Sequence, residues 1–133
     1  MTEYQEIKEL ASILEESGKT YDLEERTFLF AASVRKFVRM IPRDICNLQD
    51  IPQLVRASGS VAANYIEANE ALSKKDFYYR IRVCKKEAKE SRLFLRLLKE
   101  GIRAEAESDR LRLLEETTAF IKIFQTILKH DTN

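Results

Sequence analysis

A chain of 133 residues, 44% hydrophobic and 34% charged, is long enough to bury one core and too short for two. Three Gly and two Pro are too few for the turns of an all-β fold, and Trp is absent. A net charge of +1 selects no partner, and two cysteines without CxxC spacing exclude a disulfide scaffold and point to a reducing interior. The opening MTEYQEIKEL lacks the basic and apolar regions of a signal peptide, and no apolar run approaches the ~18 residues of a membrane span. A cytoplasmic location with no membrane partner is therefore expected.

The charge is unevenly distributed. Residues 1–26 hold eight acids and three bases, whereas residues 73–100 hold ten bases and four acids. The chain is polarised along its length.

In chain order, the first expected element is a short amphipathic helix over Thr2–Ser17. It has Ile7, Leu10, Ala11 and Leu14 on one face, an acidic back, and Gly18 as its stop. Asp22 and Glu25 have capping-box spacing and open the next helix, whose apolar face is Phe30, Ala31, Val34, Phe37, Val38 and Ile41; Pro42 ends it. Residues 43–49 read as a connection. Asp50 then reads as an N-cap, with Pro52 in the first turn of a helix running to Asn69.

The middle of that helix, Ala57-Ser58-Gly59-Ser60-Val61-Ala62-Ala63, is nearly all small. A mid-helix Gly costs ~1 kcal/mol relative to Ala, a cost accepted where another backbone approaches closely. Ser73 and Asp76 open a long basic helix expected over residues 73–100, about 42 Å in length. Phe77, Ile81, Cys84, Ala88, Ser91, Leu95 and Leu98 give it a sustained heptad seam, and Gly101 stops it. The last helix is expected from Ser108 to Lys129. It carries a wide apolar face: Leu113, Phe120, Phe124 and Ile127 beside Leu114, Ile121 and Leu128.

Four substantial helices with short connections predict an all-α, antiparallel up-down four-helix bundle over residues 21–130, with a helical extension over residues 1–20.

Three stretches carry a family resemblance. They are Tyr21-Asp22-Leu23-Glu24-Glu25-Arg26-Thr27-Phe28, the run from Gln53 through Ser58-Gly59-Ser60-Val61-Ala62-Ala63-Asn64-Tyr65 to Asn69, and Ser73-Lys74-Lys75-Asp76-Phe77 with Lys85-Lys86-Glu87-Ala88-Lys89-Glu90-Ser91. Together they resemble the bacterial four-helix-bundle family first noticed in 23S rRNA intervening sequences, from Tyr21 to about Leu98. Some branches have Gly where this chain has Ala68, and Trp near Phe94. The resemblance implies an up-down bundle and a ring-like homo-oligomer, a pentamer. A related branch, the accessory proteins of diversity-generating retroelements, implies binding to RNA or DNA and to a reverse transcriptase.

Two constellations stand out. Asn64 and Glu67 share one helix face, and Glu87 and Glu90 share a face of the next helix. A carboxylate-bridged metal site would need Glu-x-x-His motifs, and the one histidine is His130 in the tail. No metal or cofactor is expected, and Asn64, Glu67, Glu87 and Glu90 read as a buried polar network with Arg56, Lys86 or a tyrosine as partner.

The second constellation is the basic back of the long helix, with Arg82, Lys85, Lys86, Lys89, Arg92 and Arg96. It is either a face neutralised by acidic helices or a neighbouring subunit, or a phosphate-tracking stripe. Tyr78 and Tyr79 beside it stack on bases or pack in an interface. No nucleophile–histidine pair and no glycine-rich phosphate loop occur, so catalysis is not expected. The leading expectation is a non-enzymatic, homo-oligomeric scaffold or adaptor, and the alternative is a nucleic-acid-binding accessory protein.

Overall fold

The computed structural model describes residues 22–99 and 102–132, together with Gln5. The helix expected over Thr2–Ser17 and the stop at Gly101 lie outside the described residues. Four helices follow: α1 (Leu23–Val38), α2 (Ile45–Asn69), α3 (Lys74–Leu97) and α4 (Ala104–Leu128). Each packs on the next, and α1 also meets α4, which closes an all-α four-helix bundle. Of these four pairings α2–α3 is the most extensive and α1–α4 the least.

Two helix starts fall where the sequence places them. Asp22 Oδ1 accepts the Glu25 N–H at 2.7 Å, and Ser73 Oγ accepts the Asp76 N–H at 3.1 Å. Two others fall earlier. α2 is capped by Asp44, not Asp50, so most of the connection expected over residues 43–49 is helical. Asp44 Oδ1 accepts the Asn47 N–H at 2.8 Å, and Asn47 Nδ2 donates back to the Pro42 carbonyl at 2.9 Å. Pro52 therefore sits inside α2. Its missing N–H frees the Leu48 carbonyl, and Leu48 and Pro52 are both exposed, so the gap opens toward solvent. α4 starts at Ala104, ahead of Ser108, behind an Arg103 cap that makes no side-chain hydrogen bond.

The heptad seam of α3 is buried along its whole length, with Phe77, Ile81, Cys84, Ala88, Ser91, Leu95 and Leu98 each at 1% exposure or less. Small residues face it from α2, where Ala57, Ser58, Val61 and Ala68 are fully buried. At Gly59 the close neighbour is not a backbone. A Cβ there would stand 3.1 Å from Arg35 Nη2 of α1, and that guanidinium lies across α2 to reach the Val55 carbonyl at 3.4 Å.

Aromatic rings tie the rest together. Phe30 of α1 meets Phe120 of α4 edge-on at 5.3 Å, Phe120 stacks on Phe124 at 6.0 Å, and Phe124 leans on Tyr65 of α2 at 6.4 Å. Such pairs add about 0.5–1.5 kcal/mol each beyond the area they bury.

Polar groups inside the bundle are matched locally. Ser58 donates to the Val55 carbonyl, Ser91 to Glu87, Thr27 to Glu24 and Thr117 to Leu114. The buried Arg110 forks onto Glu107 and donates to the Leu95 carbonyl at 3.2 Å, which satisfies an end of α3 that lacks an intrahelical partner. Arg26 makes the same kind of fork between helices. It grips both oxygens of Glu116 at 2.8 and 2.6 Å and lies 5.3 Å over the Phe120 ring.

The two cysteines differ in kind. Cys46 is exposed, whereas Cys84 is buried and donates to the Val61 carbonyl at 3.6 Å. Burial pushes the Cys84 thiol up to about 12, while a backbone hydrogen bond and the Arg80 charge pull weakly the other way. A thiol reagent at pH 8 should therefore modify one cysteine in the native protein and two after denaturation. Mass spectrometry that finds Cys84 modified in the native state would show the seam to be open.

Candidate functional site

The polar constellation lies across the α2–α3 interface. Arg56 of α2 reaches over α3 and divides its guanidinium between two carboxylates, with Nη1 3.1 Å from Glu87 Oε2 and Nη2 2.5 Å from Glu90 Oε2. Two turns along α2, Asn64 Nδ2 donates to the Ser60 carbonyl at 2.9 Å and its hydroxyl at 3.0 Å, while Asn64 Oδ1 accepts from Arg80 at 3.1 Å. The helix spacing explains the assembly: Arg56, Ser60 and Asn64 follow one another at i+4 along the side of α2 that meets α3.

The structure thus brings Arg56, Glu87 and Glu90 together and sets Asn64 beside them. Glu67 does not join. It stands exposed and makes no ion pair with a described residue, while Arg80 donates to Asn64 and lies 3.9 Å from Asp76. Lys86 is exposed as well and takes no part. Burial pushes the Glu87 carboxyl up, but the neighbouring Glu90, Ser60 and Arg56 groups outweigh it and hold it below the usual range. The Arg56 bond is the one with formed geometry, since Oε1 of Glu87 is buried without a hydrogen-bond partner. The same two carboxylates raise the Arg56 guanidinium further, Glu87 most of all.

The basic residues take a different position. Two adjoining hollows run along the groove between α3 and α4. One is lined by Lys85, Lys89, Ile121, Lys122, Gln125 and Lys129 among its residues, and the other adds Arg82, Lys86 and Leu128. Among the described residues, no carboxylate lines either hollow. Arg82 pairs with Asp131 in the tail, and Lys85 donates to the Gln125 amide. Lys86, Lys89, Arg92 and Arg96 are exposed and make no ion pair with a described residue. Lys122 and Lys129 were missed in the sequence. They lie on another helix, and only the packing of α4 on α3 sets them across the groove from Lys85 and Lys89.

Like charges three and four residues apart repel on a helix, by about 0.2–0.5 kcal/mol per pair. Lys85, Lys86 and Lys89 form such a set, and an anion in the groove would relieve it. Tyr78 is buried, edge-on to Phe77 at 5.3 Å, and so belongs to the core. Tyr79 is exposed and carries the Arg80 guanidinium at 5.5 Å. Among the described residues, no three His, Cys, Asp or Glu side chains are placed to hold a metal ion, and no helix is long and apolar enough to cross a membrane.

Arg56→Ala leaves Glu87 buried without its cation. We expect a loss of about 1–2 kcal/mol at pH 7, less than for a fully enclosed pair because Arg56 is half exposed. A carboxyl held below its ordinary value contributes stability above that value, and loses it as pH falls through the folded-state value. Urea unfolding at pH 7 and pH 3 should therefore show the gap between wild type and variant narrowing in acid. A gap that widens in acid would refute the pairing.

No family model matches the chain, and no curated protein matches it in sequence. Among solved structures, the chain is similar to a Bacteroides thetaiotaomicron protein of unknown function from the S23 ribosomal protein family. The two share 26% identity at a TM-score of 0.66, over 80% of this chain and 97% of that one.

Proposed function

We propose that this chain is a non-catalytic adaptor of the S23, or intervening-sequence, type that grips the phosphates of RNA or DNA through the α3–α4 groove. The observation that carries the reading is the lining of that groove: Arg82, Lys85, Lys86, Lys89, Lys122 and Lys129, drawn from two helices, with no carboxylate of a described residue among them. If these charges served only to balance acidic helices of the same chain, carboxylates would face them. Among the described residues, Asp131 at the end of the groove is the one ion-pair partner of the six. Arg92 and Arg96 continue the cationic side of α3, so Arg82–Arg96 extends about 21 Å.

Contacts of this kind release counterions, so affinity should fall linearly with salt on logarithmic axes. Four to six phosphate contacts correspond to a slope of about −3 to −5. Lys85→Glu with Lys89→Glu should weaken binding at least ~10-fold and flatten the slope by about two units, with the helical circular dichroism unchanged. Fluorescence anisotropy with a labelled single strand and a labelled duplex is the measurement. No binding at low salt, or a slope near zero, would overturn the reading.

A second reading is favoured by a different observation. Several large apolar side chains are exposed on helix surfaces, among them Ile45 and Leu48 of α2 and Leu93 and Leu97 of α3. Each pair has helical spacing, and surfaces of this kind join subunits. On this reading the chain is a homo-oligomeric scaffold, a ring such as a pentamer, and Leu93→Lys with Leu97→Lys shrinks the particle. Light scattering after gel filtration that finds a monomer at micromolar concentration would exclude it.

A further inference from the structure

The chain keeps turning where α4 ends. The His130 N–H donates to the Ile127 carbonyl and the Asp131 N–H to the Leu128 carbonyl, both at 3.1 Å. Bonds to the residue three back tighten the last turn of a helix. Here they direct residues 130–132 from α4 onto the first half of α3. Asp131 pairs with Arg82, and Thr132 Oγ1 accepts from Lys74 Nζ at 3.3 Å. Lys74 and Arg82 lie about 12 Å apart along α3. The segment therefore straps one end of the α3–α4 groove, where Arg82 is part of the lining.

The strap brings in the one carboxylate, among the described residues, that pairs with a cation of the groove. The Asp131 side chain is 9% exposed, against 55% for Arg82. The carboxylate is thus enclosed at the contact, while the guanidinium keeps an open flank from which a second anion can approach. What holds the strap is weak: two turn bonds, one hydroxyl contact and an ion pair with an exposed partner. A phosphate makes a forked, charge-assisted contact with Arg of the same kind as a carboxylate, and so can take Asp131's place.

We propose that residues 130–132 are an acidic strap that regulates the α3–α4 groove. Asp131 occupies Arg82 in the free protein, and a polyanion gains that end of the groove only by displacing it. The inference rests on the reading of the groove as a phosphate-binding surface. Lys85, Lys89 and Lys122 meet no carboxylate of a described residue, so an anion enters there first and reaches Arg82 last. The strap therefore lowers affinity for every anion that needs Arg82, and its removal raises it.

Anisotropy of a fluorescein-labelled DNA duplex at low salt tests the strap in the full chain. Asp131→Asn should tighten binding about 3- to 5-fold. Glu25→Gln removes the same charge from an exposed position on α1 and should do much less. In an Arg82→Gln background, Asp131→Asn should change affinity no more than Glu25→Gln does, because the cation it guards is gone. Two results would overturn the strap while leaving the groove reading in place: equal effects of Asp131→Asn and Glu25→Gln on a protein that binds, or a gain from Asp131→Asn that persists with Arg82→Gln. Binding by neither the wild type nor Asp131→Asn would refute the groove reading itself, and the strap with it. Binding by Asp131→Asn alone would support both.

Discussion

The close approach of α2 and α3 is the constraint on which the rest of the molecule depends. Small residues on both sides, Ala57, Ser58 and Val61 facing a seam that includes Cys84, Ala88 and Ser91, let the two most extensively contacting helices meet without a gap. A tightly packed interface responds to even one added methylene. The hydroxyls of Ser58 and Ser91 are turned back onto their own helices, so close packing costs neither of them a partner. Once that pair is set, the rotation of α3 is set as well: Glu87 faces Arg56, and Lys85 and Lys89 face α4.

The division of α3 into unlike sides follows from this. Toward α2, charges are answered across the interface by Arg56 and Asn64. Toward α4, the helix meets Ile121, Gln125 and Leu128, which carry no charge, and two further lysines. One helix can therefore hold the bundle together on one flank and present a cationic surface on the other.

Much of this was legible in the sequence. All seven residues of the heptad seam are buried, because a period of 3.5 admits one face only. Tyr78 and Glu87 are buried beside the seam, and each depends on what a neighbouring element offers it. Asp22 and Ser73 are visible as caps because their partners lie three residues on. Asp44 was hidden by Pro52, which reads as a first-turn residue and lies well inside the helix. Arg103 was hidden because it caps without a side-chain bond. Arg26 and Arg110 look like surface residues in the sequence; both are buried, since each finds a carboxylate that local spacing does not reveal or does not require to be enclosed. At the site, Arg56, Glu87 and Glu90 could be grouped by helix spacing, whereas Glu67, which shares a face with Asn64 in the sequence, is turned to solvent by the packing of α2 on α3. Lys122 and Lys129 join the groove only through tertiary packing.

The Arg26–Glu116 fork has a meaning in time as well as in space. It joins residues 90 positions apart, whereas Arg56 and Glu87 are separated by 31. Closing the longer loop costs more chain entropy and waits for nearer contacts to form first. The α2–α3 hairpin is thus the early part of the folding route and the meeting of α1 with α4 the late one, so the seam that is loosest in space is also the last to shut and the first to open.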